Sequence, residues 1–380
     1  MTFEKVKLLD ISAPKQWKNL PSSELTEDGY PVYGANGIIG KYTEYNHEFP
    51  TLAITCRGAT SGNLHITKPK SYINSNAMAL DNLSDKVNIK YLYYALIDRG
   101  FKDVITGSAQ PQITREGLSK IKIPLPTLEN QIRIAKILTQ AETLITERKE
   151  SILMLDELLK SSFLEMFGDP VRNEKRWEIK TIEQLVKKEK NSIKRGPFGG
   201  ALKKDIFVKD GYLVYEQFHA LNNDFSMARY FIDQEKFNEL IGFSVKPKDI
   251  IISCSGVYLG KLAIIPEKAQ EGIINQALLK LTLNEDVMKN EFFVFHFTHK
   301  NFKEKYFDSK RGAGIPNFPP MTDFKKFGFI SPPIELQNKF LLIIQKVETL
   351  KAEYRKSMIE LENMYGVLSQ KAFKGELKLK

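Results

Sequence analysis

The 380-residue chain is poor in the residues that build most catalytic and metal centres. Its two cysteines, Cys56 and Cys254, exclude a disulfide framework and a cysteine-rich zinc site. With five histidines, there is little to pair with a nucleophilic thiol, so buried structural cysteines are the expected reading. His296 and His299 in "HFTH" have helical metal-pair spacing, but no carboxylate or cysteine cluster supports them, and no metal site is expected. Apolar runs are short, "FFVFHF" (292–297) being typical, and none approaches the roughly 20 residues that cross a bilayer. The start, "MTFEKVKLLD", lacks the apolar core of a secretion signal. There is no G-x-x-x-x-G-K-[ST] loop for ATP, and no glycine-rich loop with a following acidic residue marks an S-adenosylmethionine site. These absences predict a cytoplasmic protein that binds no cofactor of its own.

What is present is an ordinary globular composition with a basic balance. Hydrophobic residues make up 42% and charged residues 27%, which argues against wholesale disorder. The length suits two to three domains with their own cores. The net charge of +10 tilts towards a polyanionic partner, though weakly.

The strongest signal is a long internal repeat. "QAETLITERKESI" (140–152) returns as "KVETLKAEYRKSM" (346–358), with Glu142, Thr143, Leu144, Glu147 and Ser151 on Glu348, Thr349, Leu350, Glu353 and Ser357, at an offset of 206. The likeness extends to "PLPTLENQIRIAKIL" (124–138) and "SPPIELQNKFLLII" (331–344), with Gln131 on Gln337, and to Phe167 on Phe373. "TLAITCRGATSGNLHI" (51–66) resembles "IIISCSGVYLGKLAII" (250–265), with Cys56 on Cys254; "INSNAMAL" (73–80) resembles "INQALLKL" (273–280). The order is globular unit, helix, globular unit, helix. Runs such as "LAITC", "DIIISC" and "GKLAIIP" read as strands, and "KYLYYALIDRGF" (90–101) and "KNEFFVFHFTHKNFKEKYF" (289–307) as helices. Each unit is therefore mixed α/β (α+β), with no topology readable.

The repeated helices follow a proline, Pro126 and Pro333, where a helix can start. Ile134, Leu138, Ala141, Ile145, Ile152, Leu155 and Leu159 keep a 4-3-4 spacing broken by Arg148. Phe340, Ile344, Val347, Tyr354, Met358, Leu361, Tyr365 and Leu368 keep it in the second copy, with Lys351 the exception. That is a heptad seam. A helix of about 38 residues is roughly 57 Å long and cannot bury all its faces on one small domain. Each seam needs a partner, and the other copy is the natural one; two amphipathic helices packed separately on their own domains are the alternative. A helical pair of this length would act as a ruler between two different readers.

The whole chain resembles the specificity (S) subunit of a type I restriction-modification system, on the order and duplication of the proline-led helix, the terminal "FGD" (167–169), and the "RGATSG" and "SGVYLGK" turns. The resemblance implies target-recognition domains at 1–123 and 169–330, conserved helical spacers at 124–168 and 331–380, and an antiparallel coiled coil of the two helices. It implies double-stranded DNA with a split, asymmetric target as ligand, and two methyltransferase (M) subunits and restriction (R) subunits as partners. S-adenosylmethionine for adenine-N6 methylation would sit in M, and ATP and Mg in R. The chain itself would be a non-catalytic subunit.

Cations near phosphates give affinity for DNA and side chains at base edges give specificity. Unit 1 offers Arg57, Thr60, Ser61 and Asn63 in "CRGATSGN" (56–63), and Ser108, Gln110, Gln112 and Arg115 in "TGSAQPQITR" (106–115). Unit 2 offers Lys194, Arg195, Lys203 and Lys204 around "GPFGG", Ser255, Tyr258 and Lys261 in "SGVYLGK", and Lys310, Arg311 and Asn317 in "SKRGAGIPN". Glycine admits a close backbone approach, glutamine can pair with adenine and arginine with guanine. Any one of these turns could equally be an ordinary solvated loop, as could "KKEKNSIK" (187–194). "SPPI" superficially matches the Ser/Asn/Asp-Pro-Pro-aromatic motif of N6-adenine methyltransferases, but Ile334 stands in the aromatic place, and a helix start is expected. The alternatives are a lone DNA-modifying enzyme, against which the missing cofactor motifs count, and a stand-alone DNA-binding regulator or scaffold, which would usually show a recognition-helix signature.

Overall fold

The computed structural model describes residues 3–308 and 318–377. Two compact units divide the chain: unit 1 comprises Met1–Ile152 and Glu353–Lys380, and unit 2 comprises Leu153–Ala352. Both cuts fall inside long helices, so each unit holds a globular part and a stretch of each helix.

Unit 1 is built on strands β1 (Ala13–Gln16), β2 (Tyr30–Gly34), β3 (Gly37–Tyr42), β4 (Leu52–Thr55), β5 (Leu64–Ile66), β6 (Tyr72–Ile73) and β7 (Ala77–Asp81). They form a four-stranded sheet β1-β7-β4-β5 and a three-stranded sheet β3-β2-β6. Unit 2 repeats this with β8 (Ile193–Arg195), β9 (Tyr212–Tyr215), β10 (Phe231–Ile232), β11 (Ser244–Val245), β12 (Ile250–Ser253), β13 (Leu262–Ile264), β14 (Gly272–Ile274) and β15 (Leu278–Leu281). Its sheets run β8-β15-β12-β13 and β10-β9-β14-β11. Even the unusual parallel pair recurs: Tyr33 sits opposite Ile73, and Tyr215 opposite Ile274.

Helix α1 (Ile89–Arg99) in unit 1 and α3 (Asn290–Thr298) in unit 2 pack on these sheets. The helical pattern of 289–307 is not one helix. It breaks at His299, whose backbone is extended and whose ring accepts from the Asn301 amide at 3.3 Å, starting a new turn at Lys300–Lys303. His296 belongs to the core: it is fully buried, and its Nε2 accepts from the Ile330 amide at 3.1 Å.

The long helices are α2 (Leu128–Phe167) and α4 (Ile334–Lys374), with "SPPI" marking the start of the latter. Helix α2 is 40 residues, about 60 Å at 1.5 Å per residue. It stops at Gly168, whose φ of +76° and amide bond to Leu164 O form a left-handed C-terminal cap. Within each unit the two helices run antiparallel. In unit 1, Ile134 and Leu138 of α2 share a core with Leu368 and Ala372 of α4. Further along α2, the Arg148 guanidinium lies 4.3 Å from the Tyr354 ring centre, and Lys149 meets Glu362 at 3.3 Å. In unit 2, Asp156 meets Lys351 at 2.7 Å, while Phe163 and Phe167 pack on Phe340.

The seam residues lie on the inner faces. Ile134, Leu138, Ala141, Leu159, Phe340 and Val347 are buried. Ile145, Ile152, Leu155, Ile344, Tyr354, Met358, Leu361, Tyr365 and Leu368 are half-buried. Both polar interruptions are accommodated: Arg148 by Tyr354, and the buried Lys351 by Asp156 and Glu348.

Candidate nucleic-acid interface

In both units the site begins where a buried central strand ends in a buried cysteine. Burial alone raises the thiol pKa of Cys56, with Gln16 and Arg57 opposing, and pushes Cys254 up to about 12. Both therefore stay protonated and packed, as structural thiols do.

Past Cys56 the chain turns back on itself: the Gly62 amide returns to Thr55 O at 2.8 Å, and the Thr55 amide to Asn63 O at 2.8 Å. Past Cys254 the same closure is made by Gly260 on Ser253 O and by Ser253 on Lys261 O, each at 2.8 Å. In unit 1 this loop is fused to the second candidate loop. The Gly58 amide donates to Pro111 O, and the Ile113 amide to Cys56 O, both at 2.9 Å. The Ser61 hydroxyl also donates to Pro111 O, and the Thr60 hydroxyl to Ala35 O, so these two side chains hold the surface together. Arg57, Asn63, Ser108, Gln110, Gln112 and Arg115 remain exposed on it. Arg57, Gln112 and Arg115 line a cleft of about 330 Å³ with Lys15 and Gln16 of β1.

In unit 2, Lys194 and Arg195 lie half-buried on β8, and Lys203 and Lys204 are exposed beyond the Gly199–Gly200 turn. Ser255 is half-buried, and Tyr258 and Lys261 are exposed on the loop after Cys254. Lys310, Arg311 and Asn317 lie outside the described residues. Gly196 lets β8 pass the Asn275 carbonyl so closely that a Cβ there would stand 1.8 Å from the oxygen.

Three parts of the site lie outside the polar, glycine-bearing loops that stand out in the sequence. The hairpin turn after Tyr33 touches the Cys56 loop through Thr55 and Thr60, whose hydroxyls both reach Ala35 O. At the corresponding place in unit 2, Gln217 donates to Ser253 Oγ at 2.8 Å and Ser255 O at 2.9 Å. Tyr30-Pro-Val-Tyr33 and Tyr212-Leu-Val-Tyr215 are the signal that could have aligned these two segments. The third part is β1, with Lys15 and Gln16.

Gln131, matched to Gln337 by the repeat, turns out to tie each unit to its helix. Gln131 Oε1 accepts from the Asn88 amide at 2.8 Å, and its Nε2 donates to Lys86 O and Pro126 O. Gln337 does the same with the Lys289 amide, Val287 O and Pro332 O. Glu142 accepts from the Tyr94 hydroxyl at 2.7 Å, which fixes α1 to α2.

Chemically, these surfaces offer guanidinium, ammonium and amide groups on glycine-bearing loops, a set suited to phosphates and base edges. No cluster of three His, Cys, Asp or Glu able to hold a metal occurs among the described residues.

Comparison with known proteins gives a consistent picture. A family model described as the type I restriction modification DNA specificity domain matches residues 1–154. A type I restriction enzyme specificity subunit (MjaIX) of Methanocaldococcus jannaschii is 24% identical over 78% of this chain and 70% of its own. A putative type I restriction enzyme specificity subunit of Haemophilus influenzae is 24% identical over 88% of this chain and 84% of its own. Among solved structures, the S subunit of a type I restriction-modification system from M. genitalium has a TM-score of 0.58 at 17% identity, covering 98% of this chain and 96% of that one.

Proposed function

The chain belongs to the specificity subunits of type I restriction-modification systems, and from this premise we propose how it works. Each unit reads one half of a bipartite, asymmetric DNA target, and the chain directs adenine-N6 methylation by M subunits and cleavage by R subunits. The observation that carries this reading is one sheet frame, built twice and hydrogen-bonded alike, bearing two different sets of polar loops. The loop residues of unit 1 and unit 2 named above are the DNA contacts, and glutamine and arginine among them suit base edges.

The chain supplies recognition and no catalytic residue. S-adenosylmethionine belongs to M, and ATP and Mg to R. Two M subunits fit the duplication. Leu144, Leu153 and Leu158 on α2 are exposed, as are Leu350, Ile359 and Met364 at the matching places on α4. Exposed apolar positions repeated in both copies are what two equivalent docking partners would cover. No helix among the described residues is long and apolar enough to cross a membrane, and we place the complex in the cytoplasm.

The test is co-expression with the neighbouring methyltransferase gene, pull-down, and genome-wide mapping of N6-methyladenine. The expected result is a co-purifying M subunit and a split methylated motif that disappears when this gene is deleted. A chain that binds DNA but never an M subunit would instead be a regulator or scaffold. Exchange of residues 1–123 for another recognition unit is expected to change one half-site and leave the other intact; changes in both halves would refute independent readout.

A further inference from the structure

Strand register equates residues that the sequence repeat leaves unmatched. In unit 1, Ile54 pairs with Met78, and Met78 with Gln16 on the edge strand β1. In unit 2, Ile252 pairs with Leu279, and Leu279 with Arg195 on the edge strand β8. Ile54 and Ile252 each stand two residues before the buried cysteine, so Gln16 and Arg195 occupy the same place. The preceding residues agree: Lys15 lies 3.7 Å from the Trp17 ring centre, and Lys194 lies 4.6 Å from that of Phe243.

The two side chains present opposite hydrogen-bonding character. Gln16 Nε2 donates to Ser75 O and to Cys56 Sγ, each at 3.1 Å. A backbone carbonyl can only accept, so this contact fixes which end of the amide faces inward. The acceptor Oε1 is left over, and Gln16 borders the cleft that holds Arg57, Gln112 and Arg115. Arg195 has donors alone. Its Nε is buried without a hydrogen-bond partner among the described residues, and its guanidinium lies 5.3 Å from the ring centre of the exposed Phe198. The buried Nε lies out of a base's reach, so it is the Nη groups of the same guanidinium that would donate to a bound duplex.

Resting on the reading of the chain as a DNA-specificity subunit, we propose that Gln16 and Arg195 are equivalent base-reading residues of opposite polarity. Gln16 accepts from the exocyclic amino group of adenine or cytosine in one half-site. Arg195 donates to O6 and N7 of a guanine in the other. The two units thus read different bases through one position of one sheet.

The test uses the chain assembled with its M subunit. Methylation motifs are mapped in cells, and competition binding is measured on duplexes with each target position varied in turn. A wild-type complex without a bipartite motif would overturn the specificity-subunit reading itself, before any variant is compared. Given the motif, Gln16→Ala is expected to relax one position that requires an amino-bearing base, by about tenfold or more in discrimination. Arg195→Ala is expected to relax one guanine in the opposite half, and Gln16→Arg to move its position to guanine. Unchanged motifs in both alanine variants, or relaxation at a base of the wrong class, would overturn the proposal. Where a variant gives no methylation, the binding assay decides: loss confined to one position supports it, and uniform weakening across all duplexes by an assembled complex refutes it. Gln16→Met, of similar size, replaces an alanine variant that does not assemble.

Discussion

Beyond Tyr33 the chain of unit 1 turns through Gly34 and Gly37 into a second hairpin strand. Beyond Tyr215 the chain of unit 2 winds into the short helix Gln217–Asn222. The two units share strand order, parallel register and loop closure; in this one connection they part. The cores differ too. Unit 1 is filled mainly by aliphatic residues such as Ile54, Leu80, Leu92, Leu118 and Ile123. Unit 2 is filled by phenylalanines, among them Phe163, Phe167, Phe292, Phe293, Phe297, Phe302, Phe324 and Phe329. The frame therefore tolerates a change of filling and a change of loops. What it holds constant is backbone hydrogen bonding, which depends on geometry and not on side-chain identity.

That contrast can be broken at matched positions. Phe340 and Ile134 are related by the repeat offset, and both are fully buried. Phe340 lies 5.1–5.6 Å, ring centre to ring centre, from Phe163, Phe167 and Phe295. Phe340→Ala is expected to cost about 4 kcal/mol and Ile134→Ala about 3 kcal/mol in denaturant titrations. A smaller loss at Phe340 would mean that the aromatic core collapses around the gap.

Gln131→Leu and Gln337→Leu should be more alike. Each strands one backbone amide and two carbonyls at a helix start, and about 2–3 kcal/mol is expected for either. Thermal unfolding that showed one variant harmless and the other severe would end the claim of equivalence.

The smallest effect is expected where the copies part within the seam. Burial works against the Lys351 ammonium, but its bonds to Asp156 and Glu348 outweigh this and raise its pKa above the usual 10.5. Its contribution is therefore complete below pH 10.5 and lost as pH rises through the higher folded value. Lys351→Met should change stability by less than about 1 kcal/mol near neutral pH, since a well-packed apolar chain often replaces a buried pair without loss. Above pH 10.5 the wild type should lose its small excess over the variant; a stability gap unaffected by pH would show that the pair contributes through packing alone.

Much of this architecture is legible in the sequence, because long helices write a heptad period over dozens of residues. The start after Pro126, the seam through Ile134 and Leu138, and the matched cysteines all come from such extended patterns. Strands of three or four residues carry too little pattern. β1 includes Pro14, tolerated on a sheet edge, and nothing in "SAPKQW" alternates. Thus Lys15 and Gln16 emerge only from pairing partners more than 60 residues away. The sequence pattern carries the helix straight through His299, because an apolar run conceals a break made by one extended residue. Gln131 and Gln337 stood aligned in the repeat, but their partners are backbone atoms, which no side-chain pattern announces.

Those two glutamines have a consequence for how such a chain can change. Every group they bind is an amide or a carbonyl of the main chain, on the segment leading into α1 or α3 and at the helix start. A socket that grips only main chain does not ask what side chains its guest carries. A globular unit with new loops could be exchanged at this joint and still be seated in the same way, so reading preference can drift while the mounting stays fixed.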